Sequence, residues 1–301
     1  MIDSVFPKGQ KPRTYRHVAR RDYLRYARNR RPSLKLLRKS LRKQLGYVAR
    51  NLGYLAGVKD CLIEKDQERL KVIERVYAQQ REMYEQGTKR VDDRIVSLHQ
   101  PWVRPIVRGK AKAPVEFGAK IAVSLVDGYL SMERLSWDAF HEGTTFQASV
   151  ERYREHTGVY PKRALTDTAY RTRENLQYCK ERGIRLSGPK LGRPPNDKAL
   201  YRQQLLEERM ESGERSAVES AFGVGKRRYG LNLIMERLKE TSEVAIHTCI
   251  LTMNLWKRLR ELLFALVRWV LRGAGSGARL RTAQPHAGWW AGVKLETVVV
   301  Q

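Results

Sequence analysis

The sequence predicts an α/β protein, a mixed sheet flanked by helices, preceded by an all-helical and strongly basic segment. Three observations carry that expectation. Apolar residues recur at helical spacing over residues 34–55 and alternate at strand spacing over residues 115–125. Beyond that point strands and helices trade places in the order ββαβαβαα.

Taken in order, residues 11–50 hold 15 Lys or Arg against one acid, Asp22. Within and after that stretch Leu34, Leu37, Leu41, Leu45, Val48, Leu52 and Leu55 mark one helix, which Gly57 can stop. A second helix from about Leu62 to Gln86 carries Leu70, Ile73, Tyr77 and Tyr84 on one side, with Gly87 just past its end. The pair reads as a helical hairpin over residues 1–90. Its basic outer face suits either plain solvation or a polyanion.

From Val115 the period changes to two, and Asp127-Gly128 signals a hairpin turn before Tyr129 to Trp137. A helix follows at Thr145 to His156, closed by Gly158, then a short strand at Arg163 to Thr166 that delivers Asp167 at its end. Thr172 to Arg182 is helical and Gly183 can cap it. Ile184 to Ser187 form the next strand, and a loop from Gly188 to Pro195 leads into two helices, Asp197 to Glu211 and Glu214 to Arg228. A last amphipathic helix spans Val244 to Leu271. Residues 91–272 are therefore expected to form the α/β unit, and residues 273–301, rich in Gly and Ala, a disordered tail.

The chain of 301 residues carries 59 Lys and Arg against 32 Asp and Glu, a formal charge of +27. Such an excess calls for a polyanion, and nucleic acid is the first expectation because bound Lys and Arg release the counterions condensed on phosphates. A lipid surface fits less well. No N-terminal stretch resembles a signal peptide, and the apolar run Leu262 to Leu271 is short and interrupted by Arg268. Cys61, Cys179 and Cys249 are far apart with no CxxC pair, which speaks against a disulfide framework or a thiolate zinc site and suits a cytoplasmic, nucleoid-associated location. Four of the histidines, His99, His141, His156 and His247, share no metal-ligand spacing, and no GxSxG or GxxxxGK[ST] segment occurs.

Chemistry concentrates elsewhere. Arg215, Glu219 and Lys226 stand at i, i+4 and i+11, which at about 100° per residue places them within roughly 40° of one another on a helix. A carboxylate between two cations can face a divalent metal while the cations reach a phosphodiester beside it. Arg215 and Glu219 also satisfy the plainer description of a surface i,i+4 pair. Gly223 and Gly225 allow the helix to end before Lys226. Asp167, between a strand and a helix, also suits an N-cap. Gly192-Arg193-Pro194 offers an Arg on a stiffened loop, of the kind that enters a narrow minor groove.

The segment Asp167-Thr168-Ala169-Tyr170-Arg171-Thr172-Arg173-Glu174-Asn175, the following Cys179 to Gly188, and the Arg215, Glu219, Lys226 spacing continued by Arg227-Arg228-Tyr229-Gly230-Leu231 resemble bacterial insertion-sequence transposases with a DDE triad on a ribonuclease-H-like core. The resemblance implies that Asp167 and Glu219 are catalytic and hold Mg²⁺ or Mn²⁺. It assigns Arg215, Lys226, Arg227, Arg228, Tyr170 and Arg193 to DNA. It implies metal-dependent cleavage and strand transfer on double-stranded DNA, at element ends and target, with assembly of several copies on DNA as a further expectation. Two departures stand out. Ser212 occupies the place of a family Tyr, and no strand is found for the first Asp. Asp3 lies in a decoy Asp-Ser pair, while Asp92 and Asp93 read as a solvated helix exit. The sequence thus predicts an N-terminally truncated core, with a non-catalytic DNA-binding remnant as the alternative. An RNA-binding accessory protein is a third reading, for which charge alone would suffice.

Overall fold

The computed structural model of the chain describes residues 1–107, 115–188, 195–273 and 292–300. It divides into two compact units, Met1–Arg104 and Pro105–Gln301.

The first unit contains α1 (Ile2–Val5), α2 (Arg16–Ala27), α3 (Leu34–Ala56) and α4 (Glu64–Gln86). Ser33 starts α3 by accepting from the backbone N–H of Leu36 at 3.3 Å, and Gly87, at φ 68°, ends α4 in the left-handed conformation that favours glycine. Only the C-terminal end of the predicted stripe joins a small core, and Leu34 at its start is exposed. Leu55, Leu62 and Leu70 are buried, with Met1, Ile2, Val5, Leu52 and Val58 packed against them.

Helix α2 is absent from the expectation because it has no apolar stripe, and none of its residues is buried. Polar contacts hold it instead. Asp22 accepts from Lys43 Nζ and Tyr47 Oη, both at 3.1 Å, and Gln44 Nε2 donates to the Ala19 carbonyl at 3.0 Å. The unit also runs past residue 90. Gln79, buried on α4, donates to the carbonyls of Asp92 and Asp93 and accepts from the Ile95 N–H at 3.0 Å, stitching that loop to the helix.

In the second unit the alternating stretch is two strands, not one. Gly118, at φ 140°, separates β2 (Val115–Phe117), which pairs antiparallel with β1 (Pro105–Val107), from β3 (Ala119–Val126). The Asp127-Gly128 turn has positive φ at both residues, 49° and 80°, and leads into β4 (Tyr129–Ser136) as its sequence predicts. The chain continues through α5 (Phe146–Thr157), β5 (Arg163–Leu165), α6 (Arg173–Glu181), β6 (Arg185–Leu186), α7 (Lys198–Arg228), α8 (Lys239–Gly273) and β7 (Gly292–Val300).

The five-stranded sheet has the order β4-β3-β7-β5-β6, with β7 antiparallel to β3 and parallel to β5 and β6 parallel to β5. One face carries Phe146, Val150, Ala164, Tyr170, Tyr178, Cys179 and Ile184 as a buried cluster. On α8, Asn254 pins β4 by accepting from the Leu130 N–H at 2.9 Å and donating to its carbonyl at 2.7 Å. Past Asn254 the same helix exposes Leu255, Leu259, Leu262, Leu266 and Trp269. Among the described residues no helix is long and apolar enough to cross a membrane.

Two expectations are corrected here. The segment after Gly273 is not structureless throughout. Residues 293–300 read Val-Lys-Leu-Glu-Thr-Val-Val-Val, a composition rich in β-branched residues, and they take the centre of the sheet. The two helices expected around Ser212 are one continuous α7 of 31 residues. Gly213 and Gly223 each weaken a helix by up to about 1 kcal/mol, but a buried stripe outweighs them. Glu211, Val218, Phe222 and Gly225 form that stripe.

Candidate active site

Asp167 follows β5, and its position is set by the neighbouring strand. Ser187, buried just after β6, accepts from the Thr166 N–H at 2.9 Å and donates to the Thr166 carbonyl at 3.3 Å, extending the β5–β6 pairing to the residue before Asp167. Beyond it the chain turns through a 3-10 segment, Thr168–Tyr170. Asp167 Oδ1 caps this turn by accepting from the Thr168 N–H at 2.6 Å. Asn175, buried at the start of α6, donates to the carbonyls of Gly143 and Tyr170 at 2.9 and 2.8 Å and fixes the far side of the turn.

Helix α7 brings Glu219. Its rotation is set by carboxylates at helical spacing. Glu214 meets Arg163 of β5 at 3.0 Å, while Glu207 and Glu211 meet Arg185 of β6 at 3.0 and 2.9 Å. At the next turns Val218 and Phe222 are buried. Gly225 is required by close approach: a Cβ there would stand 2.7 Å from a Leu231 methyl and 3.1 Å from Met253 Sδ.

With β5 and α7 so fixed, Arg215 joins the two carboxylates. Its Nη1 lies 3.0 Å from Asp167 Oδ1 and its Nη2 3.9 Å from Glu219 Oε1. Both carboxylates are about half exposed, at 49% and 56% of their side-chain area, whereas Arg215 is mostly covered at 26%. The N-cap and the i,i+4 pair anticipated as plain structural roles are thus both present, and the same two residues also converge on one cation. Residues separated by 52 positions meet through a third. No periodicity or spacing could establish that contact.

Residues 164–256 match the family model of the transposase DDE domain, taking in β5, α6, β6, α7 and the first half of α8. The match covers less than half of the chain, and over that segment the chain is similar to a transposase DDE domain. No curated protein and no solved structure matches the chain.

Around Asp167 and Glu219 the remaining expected residues divide. Since α7 continues to Arg228, the Arg215, Glu219, Lys226 face is unbroken, with Lys226 about 10 Å along the axis from Glu219. Lys226 is half-buried, and Arg227 and Arg228 are exposed at the helix end. Tyr170 is a correction. It is 1% exposed and packs with Phe146, Val150 and Tyr178, so its ring belongs to the core and cannot stack on DNA. Arg193 lies outside the described residues. Asp3 pairs with Lys11 at 2.9 Å on α1, and Asp93 pairs with Arg75 at 3.4 Å; both belong to the first unit, as does Asp92.

The sequence reading missed the parts that hold the site in place: Ser187, Asn175, and the Glu207, Glu211, Glu214 row. The row was legible in principle, because its spacing matches the apolar positions that follow it.

In the first unit, basic residues line two grooves. His17, Arg20, Arg21, Arg25 and Arg28 line one along α2. Lys39, Arg42, Lys43 and Arg50 line the other along α3, with Tyr47. The Arg50 guanidinium lies over the Tyr15 ring at 4.5 Å, and Tyr15 in turn stacks on Tyr47.

Proposed function

We propose that the chain is a DNA transposase acting by metal-dependent strand cleavage and strand transfer, with Asp167 and Glu219 as its metal-binding carboxylates. The observation that carries this reading is the convergence of both carboxylates on the Arg215 guanidinium, a cation held between two half-exposed anions.

The donor set suits Mg²⁺ or Mn²⁺. These ions take hard oxygen ligands, and Mg²⁺ in particular is usually held by one or two carboxylates plus waters and substrate phosphates. Among the described residues no group of three His, Cys, Asp or Glu is placed to enclose an ion, so a site of this kind relies on the substrate for its remaining oxygens. A bound divalent ion would supply charge stabilisation at the reacting phosphodiester and acidify the attacking water.

The chain's own residues do the rest. Arg215 orients Asp167 and Glu219 and can turn a donor towards a phosphate oxygen. Lys226, Arg227 and Arg228 continue a positive track along α7 for the DNA backbone. In the first step water attacks the phosphorus, the bond to the 3′ oxygen breaks and a 3′ hydroxyl leaves. In the second, that hydroxyl attacks a target phosphorus, a new P–O bond forms as the bond to the target's own 3′ oxygen breaks, and the target's 3′ hydroxyl leaves. The grooves of α2 and α3 hold duplex through phosphates, without reading bases.

A second reading is favoured by one observation. Because no third ligand joins Asp167 and Glu219 among the described residues, a DNA-binding remnant that does not cut is also consistent. One experiment separates them. The purified chain is incubated with Mg²⁺ or Mn²⁺ and supercoiled DNA carrying the element's ends. Nicking that vanishes in Glu219→Ala and Asp167→Ala, while DNA binding persists, supports the transposase. Binding with no nicking leaves the remnant.

A further inference from the structure

Helix α8 has a second side that the fold does not use. One side packs inward: Ile246 and Ile250 are buried, Asn254 holds both backbone groups of Leu130, and Glu261 accepts from the Tyr129 hydroxyl. At about 100° per residue, Thr248, Thr252, Leu255, Leu259, Leu262, Leu266 and Trp269 fall within an arc of about 100° on the opposite side. Its four leucines and Trp269 are each more than half exposed. From Leu262 to Leu271 every residue of the helix is exposed, and Arg268 alone among them is charged. A helix that is apolar on nearly all sides is not left in water, and an exposed patch of this extent marks a contact with a partner.

The spacing selects the partner. Counted from Thr248 to Trp269, the intervals are 4, 3, 4, 3, 4 and 3. That repeat lets two helices wind together, each seam residue entering a hole formed by four residues of the facing helix. A lipid surface asks only for a wide apolar arc and imposes no such order. The two threonines suit a dry seam because their hydroxyls are already satisfied. Thr248 Oγ1 donates to the Val244 carbonyl and Thr252 Oγ1 to the Thr248 carbonyl, both at 2.8 Å, which leaves their methyl groups for a neighbour. Charge permits like to pair with like. When two such helices run parallel and in register, the flanking residues oppose one another as Leu251 with Trp256, Arg258 with Leu263 and Ala265 with Val270. No cation faces a cation, and the Arg258 stem can lie along Leu263.

We propose that the seam from Thr248 to Trp269 on α8 pairs in parallel with the same seam of a second copy of this chain. Its most apolar part lies beyond residue 256, where the match to the DDE domain ends, and the inference does not depend on the transposase reading.

The full chain, freed of nucleic acid by nuclease and high salt, is followed by sedimentation over a range of concentrations. A monomer–dimer equilibrium is expected. Leu259→Glu combined with Leu266→Glu sets like charges opposite each other at two layers and should raise the dissociation constant at least about a hundredfold. The thermal transition of the dilute chain should not move, since both side chains are exposed in the single copy. Leu259→Lys combined with Leu266→Lys should also be monomeric alone. An equimolar mixture of the two double variants should recover the dimer, because in register each Glu then meets a Lys. Phe264→Glu, exposed but off the seam, should leave association at the wild-type level. A wild-type chain that is monomeric at every concentration overturns the proposal, as does a mixture that fails to pair. A loss in Phe264→Glu equal to that of the double variants also overturns it, as unspecific adhesion. A monomer that floats with vesicles of phosphatidylglycerol and phosphatidylcholine overturns it in favour of a lipid surface. A chain that dimerises but never nicks keeps this inference and loses the catalytic reading.

Discussion

The two units hold their polar groups in opposite ways. In the first, charge is arranged by short-range spacing: Arg20, Arg21 and Arg25 share α2 with Arg28 just past its end, and Lys39, Arg42, Lys43 and Arg50 share α3. In the second, the decisive contacts join distant parts of the chain, Asp167 to Arg215, Arg163 to Glu214 and Arg185 to Glu211. A surface for a polyanion can be built from one helix at a time, because the partner supplies the complementary charge. A site that must hold two carboxylates at one point needs a sheet, a helix and the ion pairs that lock their relative rotation.

The largest effect should come from removing residues 292–301. Because β7 pairs with both β3 and β5, its loss divides the sheet into two separate pairs, and the second unit is expected to lose its cooperative thermal transition while the helical circular dichroism of α2, α3 and α4 remains. An unchanged transition would show that the sheet does not depend on its central strand.

Replacing Arg20, Arg21, Arg25 and Arg28 together by Ala addresses the other side of the comparison. Duplex affinity should fall, and the slope of log affinity against log salt should shrink by about 0.9 for each phosphate that the variant no longer neutralises. Melting temperature should hardly move, since no residue of α2 is buried. A slope equal to that of wild type would place the DNA elsewhere.

Arg185→Met tests the lock on α7. It strands the buried Glu211 carboxylate, and urea unfolding should show a loss of about 1–3 kcal/mol. The companion Arg185→Met, Glu211→Met double variant should recover most of it, because both charges are then gone.

The smallest effect is a matter of pH. Hydrogen bonds from Tyr178 and Tyr160, with Arg154 and Arg182 nearby, hold the Glu151 carboxyl below its ordinary value. A depressed carboxylate stabilises the fold above the unfolded pKa of about 4.3 and loses that contribution as pH falls through the folded value. Tyr178→Phe should therefore lower stability at neutral pH, leave strongly acid pH less affected, and so flatten the acid limb of the stability profile. An acid limb that does not change would exclude Glu151 as its source.

How much of this was legible beforehand differs by element. Helices α3 and α4, the β3–β4 hairpin with its Asp-Gly turn, and α5 and α6 follow from period, caps and turn residues, which act within a few positions of one another, whereas the continuity of α7 through Gly213 did not. Helix α2 was not legible, because polar contacts to α3 replace an apolar stripe. Tyr170 was misassigned for a related reason: a Tyr in a polar turn reads as exposed until α5 and α6 close over it.

By itself the sequence determined the positive charge and the secondary structure of most of the chain, and it singled out Asp167 and Glu219 as candidates, since each depends on composition, local spacing or a motif. Only the tertiary structure decided that Arg215 pairs with both carboxylates, that Ser187 bonds the Thr166 backbone, and that residues 292–300 form the centre of the sheet. The physical reason is the same in all three. Each is a contact across long chain separation, whose geometry is fixed by packing and register rather than by the propensities of neighbouring residues.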